Sequence, residues 1–293
     1  MENIRGIAMM VTAMACFTGF DSVVKFVSTA LPTGLVVTAF STLAAVTFIG
    51  LSKFQGRPVF SPRALHPAVI GRSFCEFLTA IAVVLSVVYN DLSVVAAVLQ
   101  ATPITMTLGA VVLFGEKVGW RRWSMILIGF TGILIIVRPF GAEFDANILI
   151  AFAAMLSQSV RDLLSRRIPK TTGNLELATL GMLATIPSGL LIYMIGGTPE
   201  VLDLSKLWSI PALLILGTVG YLCITASVRL GDVAVVLPFR YTRLIFSIAI
   251  GMIFFAERPD LWTWIGAALV VGSGLYTLYR EVQVSRAPNM IIE

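Results

Sequence analysis

Apolar residues gather into ten runs of about 20 along this chain, near 4–28, 33–52, 66–88, 93–114, 120–138, 146–167, 174–196, 207–229, 233–255 and 261–281. At 1.5 Å per residue, a helix of about 20 residues crosses a hydrocarbon core of about 30 Å. The joins between runs are short, which leaves no room for a soluble domain. The pattern predicts an all-α polytopic membrane protein with ten transmembrane helices, spans 1 to 10. The first run is too long for a secretion signal and has no small-residue cleavage site, so it reads as a retained helix.

Composition agrees. Of the 293 residues, 57% are hydrophobic and 13% charged, against about a quarter charged in ordinary soluble proteins. The net charge of +5 could suggest a nucleic-acid partner, but its distribution reads as topology. With the N-terminus inside, the inner segments hold Arg5, Lys53, Arg57, Arg63, Lys117, Arg121, Arg122, Arg166, Arg167, Lys170, Arg229, Arg280 and Arg286. The outer loops hold only Arg138, Lys206 and Arg258, with Lys25 near that side. Such a bias predicts that both termini are cytoplasmic. Cys16, Cys75 and Cys223 fall within apolar runs, as packing residues without metal spacing. His66, at the head of span 3, reads as an interfacial residue rather than a ligand.

Two stretches are alike: LFGEKVGWRRW at 113–123 and FFAERPDLWTW at 254–264. Their acids, Glu116 and Glu257, lie 141 residues apart, and the same offset pairs Glu2 with Glu143, Asp21 with Asp162, and Asp91 with Asp232. Met14/Met155, Ser86/Ser227, Val94/Val235, Phe114/Phe255 and Trp123/Trp264 also coincide. The chain is therefore a duplication, with repeats at 1–141 and 142–293. Five helices per repeat is an odd number, so the second copy enters the membrane from the opposite side. Glu116 and Glu257 become equivalent hinges at opposite faces. Inverted repeats of this kind suit alternating access, because either half can adopt either packing.

The segments DSVVKF at 21–26, 91–136 and its twin at 232–275 resemble the drug/metabolite transporter superfamily, specifically its EamA-type ten-helix branch. The resemblance covers nearly the whole chain. It implies a central cavity lined by spans 1, 3, 4, 6, 8 and 9, with export or exchange of small metabolites across a bacterial inner membrane. Amino acids, aromatic ones included, are the substrates it favours; S-adenosylmethionine, nucleotide-type or drug-like solutes are the alternative. Many relatives carry an arginine early in span 2, whereas PTGLVVTAFSTL at 32–43 has none, so no role passes to that position.

Polar residues at membrane depth are the candidate site, since a charge mid-helix costs about 2.5–3.5 kcal/mol on insertion scales. Asp21 and Lys25, like Arg72 and Glu76, are spaced four apart and could neutralise each other on one helix face. Lys25 is placed to snorkel to the outer interface. Arg161 and Asp162 lie roughly 9 Å from the inner end of span 6, with Ser157 and Gln158 one turn deeper. Glu76 and Arg243 each lie about 15 Å into their spans, near the midplane. Neither has a charged twin: Glu76 matches Gly217, and Arg243 matches Thr102. Arg240 shares the face of Arg243, and Tyr241 matches Gln100. Pro103 and Pro238 should kink spans 4 and 9 and free the carbonyls of Leu99 and Ala234. We expect Arg243 to anchor an anionic or zwitterionic substrate with Arg240 in support; the competing expectation is a structural pair between Arg243 and Glu76.

Other classes fit less well. An intramembrane enzyme would need a nucleophile and base, a metal cluster or an aspartate-rich phosphate site, and the sequence has no HExxH, no P-loop and one histidine. A channel is the third reading. No cofactor or metal is expected, and the partners are a small-molecule substrate and the lipid bilayer. Any energy must come from a gradient, with Glu76, Asp21 or Asp162 as proton candidates. The oligomeric state is open and compatible with a monomer.

Overall fold

The computed structural model describes residues 2–115, 119–137, 145–169, 171–196, 203–230 and 233–286. The first repeat contributes α1 (Glu2–Val27), α2 (Thr33–Phe54), α3 (Pro67–Tyr89), α4 (Leu92–Leu99), α5 (Thr102–Phe114) and α6 (Trp120–Val137). The second contributes α7 (Ile148–Ser165), α8 (Asn174–Gly196), α9 (Ser209–Leu230), α10 (Val233–Val236), α11 (Thr242–Phe254) and α12 (Leu261–Arg286). Seven helical segments are long and apolar enough to cross a membrane, counting α4 and α5 as one. Shorter apolar stretches in α6 and α12, and α10 joined to α11 through a 3-10 turn at Leu237–Tyr241, bring the total to the ten spans expected.

Packing runs mainly between repeats. The most extensive interfaces are α2 on α8, α1 on α9, α3 on α7, and α6 on α12. Because α7 is the twin of α1 and α9 the twin of α3, the second and third interfaces are one contact made twice. The other two lie on the pseudo-two-fold axis. This is the packing of two interlocked, inverted five-helix repeats.

The symmetry holds at single bonds. Thr18 Oγ1 donates to the Met14 carbonyl at 2.9 Å and lies 3.5 Å from the Arg243 carbonyl. Its twin, Ser159 Oγ, donates to the Met155 carbonyl at 2.7 Å and lies 3.5 Å from the Thr102 carbonyl.

Lipid tails are as apolar as leucine, so helices in a membrane associate through close packing, often at small residues. Gly34 of α2 and Gly189 of α8 meet backbone to backbone. A Cβ on Gly34 would overlap the Tyr193 nitrogen and the Gly189 carbonyl, while Gly50 on the same helix faces open space. Gly34→Ala should therefore push α2 off α8 and cost about 1–3 kcal/mol. Thermal unfolding in detergent checks this, with Gly50→Ala expected to leave the midpoint unchanged.

His66 has the interfacial place expected of it and caps α3: its Nδ1 accepts from the Ala68 N–H at 3.2 Å, with Pro67 in the first turn. All three cysteines are free and partly buried.

Candidate functional site

Spans 4 and 9, which carry Pro103 and Pro238, both break within their length, whereas α8 runs unbroken through Pro187. In span 4 the helix yields between Leu99 and Thr102, and Pro103 leaves the Leu99 carbonyl without its usual amide donor. Thr102 Oγ1 takes it up at 2.6 Å. In span 9, Pro238 lies in the 3-10 turn at Leu237–Tyr241, and Thr242 Oγ1 donates to the Phe239 carbonyl at 2.6 Å. The two breaks touch, since Gln100 Nε2 donates to the Arg240 carbonyl at 3.0 Å. Two discontinuous helices from opposite repeats thus meet side by side, an arrangement that flanks binding sites in transporters.

Around this junction lies a belt of charges. On one side it forms a chain through α3 and α7. Arg72 donates from Nε to Ser165 Oγ at 3.1 Å and pairs with Glu76 Oε2 at 3.4 Å. Arg161 pairs with Glu76 Oε1 at 3.1 Å and with Asp162 Oδ1 at 2.8 Å. The Arg72–Glu76 pair expected from spacing is therefore present, extended by Arg161. Arg161 does not reach for the interface; it bridges Glu76 and Asp162, and among the described residues it is the basic partner of Asp162.

On the other side, Arg243 Nη2 pairs with Asp21 Oδ2 at 2.6 Å, joining α11 to α1. Two expectations give way. Glu76 and Arg243 do not pair, because each has an acid or base closer on a neighbouring helix. Asp21 and Lys25 do not neutralise each other either, since each is claimed by the second repeat. Tyr241 turns away from the junction. The 3-10 turn redirects its ring into an apolar cleft of about 690 Å³ between α11 and α12, and a Cβ on Gly274 would overlap its hydroxyl. Ser157 bonds only its own helix, at the Ala154 carbonyl. Gln158 is partly buried and makes no hydrogen bond among the described residues.

At the end of α1, Lys25 does not snorkel. Its Nζ donates to the Asn90 carbonyl at 2.7 Å and pairs with Glu257 Oε1 at 3.0 Å. The same carboxylate accepts from the Leu92 N–H at 2.7 Å, the Ser93 N–H at 3.2 Å and Ser93 Oγ at 2.9 Å. Glu257 therefore caps α4, which begins with amide donors that its own turn cannot satisfy. Gly251 makes room for the returning carboxylate, which a Cβ there would strike. Ala256, before Glu257, has φ 53°, and its twin Gly115 has φ 65°; both hinges leave their helix by the same left-handed residue. Glu116 itself lies outside the described residues.

The family model for the EamA-like transporter family matches residues 4–138 and again residues 146–279. The chain belongs to the EamA-like transporter family. That family is part of the drug/metabolite transporter superfamily. Among EamA relatives, the S-adenosylmethionine uptake transporter of Rickettsia bellii is 24% identical over 186 residues, and the chain spans 61% of that relative's length, using 61% of its own. The riboflavin transporter of Rhizobium johnstonii is 27% identical over 197 residues, covering 66% of this chain and 63% of the relative. The pseudopaline exporter CntI of Pseudomonas aeruginosa is 24% identical over 275 residues, or 91% of this chain and 93% of that one. A solved crystal structure superposes with a TM-score of 0.61 at 19% identity, covering 95% of this chain and 98% of that one, which supports the fold alone. These named relatives are transporters, not enzymes.

Sequence reasoning missed Ser93, Gly251 and Ser165. Ser93 serves the Glu257 carboxylate and Ser165 the Arg72 guanidinium from helices distant in sequence, which no spacing rule joins; Gly251 is local to Glu257, but only the turn after α11 folds the carboxylate back over it. The repeat offset could have drawn attention to Thr18 and Ser159, which are twins of like chemistry.

Proposed function

We propose that this EamA protein is a secondary transporter that exports small amino-acid-type metabolites, hydrophobic and aromatic ones included, by alternating access. It would lie in a bacterial inner membrane with both termini in the cytoplasm. The observation that carries the reading is the charge belt where the two broken spans meet. Asp21 and Glu76 of the first repeat pair with Arg243 and Arg161 of the second, while Arg72 and Asp162 extend the chain within their own helices. Charges held at depth by partners in the opposing half can exchange those partners when the halves rock. Guanidiniums suit a carboxylate, and the apolar helix faces nearby suit a hydrophobic body. The pseudopaline exporter matched along 91% of the chain supports the outward direction.

S-adenosylmethionine is the second reading, favoured by the relatives named for its uptake; it carries the same amino-acid carboxylate. Counterflow in proteoliposomes separates the two. Labelled L-phenylalanine and L-methionine should accumulate against trapped unlabelled amino acid and saturate with concentration. Accumulation of S-adenosylmethionine or riboflavin alone would replace the amino-acid reading. Flux that rises without saturation would favour a channel.

A further inference from the structure

Seven charged side chains make up the belt: the carboxylates of Asp21, Glu76 and Asp162, and the guanidiniums of Arg72, Arg161, Arg240 and Arg243. Six have an oppositely charged partner. Among the described residues, the Arg240 guanidinium has neither an acid nor a hydrogen-bond acceptor. It is nonetheless held in place. Its carbonyl is bonded by Gln100 across the two helix breaks, and it sits one turn before the N-terminus of α11. Asp162, Arg161 and Arg243 all lie within its electrostatic range, so it stands where both ionic chains converge.

Three negative charges against four positive ones leave the belt one positive charge in excess. A cation without a partner at low dielectric is costly, and one anionic group delivered to it removes that cost. The guanidinium fork matches a carboxylate with two parallel hydrogen bonds. One feature on the same segment also favours negative charge: Arg243 Nε, three residues on, is buried without an acceptor among the described residues. Arg243 is a poorer anchor. Its Nη2 already binds Asp21 at 2.6 Å, and a substrate would have to displace that carboxylate.

We propose that Arg240, rather than Arg243, is the substrate anchor, and that the site selects solutes bearing one carboxylate, zwitterions included, over neutral or dianionic solutes of similar shape. This rests on the transporter reading above and narrows it to a charge class. A solute without a carboxylate leaves the Arg240 guanidinium unpaired, and a second carboxylate meets no second guanidinium free of an acid among the described residues.

The test is thermal unfolding of the detergent-solubilised full chain, which needs no transport. Arg240→Gln removes an unpaired cation and should raise the midpoint by about 2 °C or more, whereas Arg243→Gln strands Asp21 and should lower it. Among probes of similar shape, 3-phenylpropanoate should raise the wild-type midpoint, while 3-phenylpropanamide and the dianion benzylmalonate should not. Arg240→Gln should lose the response to 3-phenylpropanoate, and Arg240→Lys should bind it about tenfold more weakly, keeping the charge without the fork. The proposal is overturned if Arg240→Gln lowers the midpoint as Arg243→Gln does, if it keeps the wild-type response, or if wild type fails to distinguish the three probes. A protein that passes this test yet moves no solute in vesicles would refute the transport reading alone.

Discussion

Replacing Glu257 by alanine should cost about 3–5 kcal/mol of stability, the range for breaking a buried ion pair by removing one partner. Glu257 is the acceptor for four donors in the α1–α4 corner: Lys25 Nζ, the amides of Leu92 and Ser93, and Ser93 Oγ. Its side chain is 3% exposed and that of Lys25 16%, so water cannot readily take its place. Without it, the ammonium keeps, among the described residues, the Asn90 carbonyl, the face of the Phe255 ring 5.3 Å away and the weaker field of Asp91. The first amides of α4 lose their cap as well. Monodispersity and thermal unfolding of Glu257→Ala measure the loss. Adding Lys25→Met removes the stranded charge and should recover most of it, leaving about 1 kcal/mol for the missing cap. A double variant no more stable than the single one would mean that capping, not the ion pair, carries the effect.

The second large effect is expected at Arg161. Arg161→Leu leaves Asp162 without the guanidinium that now binds its Oδ1 through two nitrogens, and leaves Glu76 with Arg72 alone at 3.4 Å. A loss of about 3–5 kcal/mol follows from the same argument. Arg72→Leu should cost less, because Glu76 then retains Arg161 at 3.1 Å. Asp162→Asn in the Arg161→Leu background should restore most of the loss. Unfolding midpoints of the three variants check the order, and equal losses for Arg72→Leu and Arg161→Leu would contradict the bridging role. Removing Arg161 also brings the belt to three carboxylates and three guanidiniums, so the response to 3-phenylpropanoate should fall.

The fold was legible because its two signals are coarse and global. Ten apolar runs report the solvent, and the 141-residue offset reports the symmetry; neither depends on a particular contact. The candidate site was legible only in part. Spacing identified Arg72 with Glu76, since both stand on one helix one turn apart. The same rule misassigned Asp21 and Lys25, whose native partners Arg243 and Glu257 lie 222 and 232 residues away. Depth put Arg243 first, with Arg240 in support on the same face; which of the two has an acid opposite is set by α1, distant in sequence, and depth does not report it. Tyr241 was singled out as the twin of Gln100, and the repeat offset carries no information on the 3-10 turn at Leu237–Tyr241 that sets its ring. The freed Leu99 carbonyl was correctly located, whereas the hydroxyl that satisfies it belongs to Thr102, a residue singled out only for its twin.

The interlocking of the repeats has a consequence for biogenesis. Helix α1 is made well before the second repeat, yet the partners of its Asp21 and Lys25 arrive only with α11 and the turn before α12. Until those segments are synthesised, the only opposite charge within reach of Asp21 is Lys25, one helical turn away. The pair that is absent from the finished protein is thus the one available to the nascent chain, and it lowers the cost of inserting α1 into the bilayer. Completion of the second half then supplies Arg243 and Glu257, and the two charges of α1 part company. One helix carries two successive sets of partners, the first for entering the membrane and the second for staying folded within it.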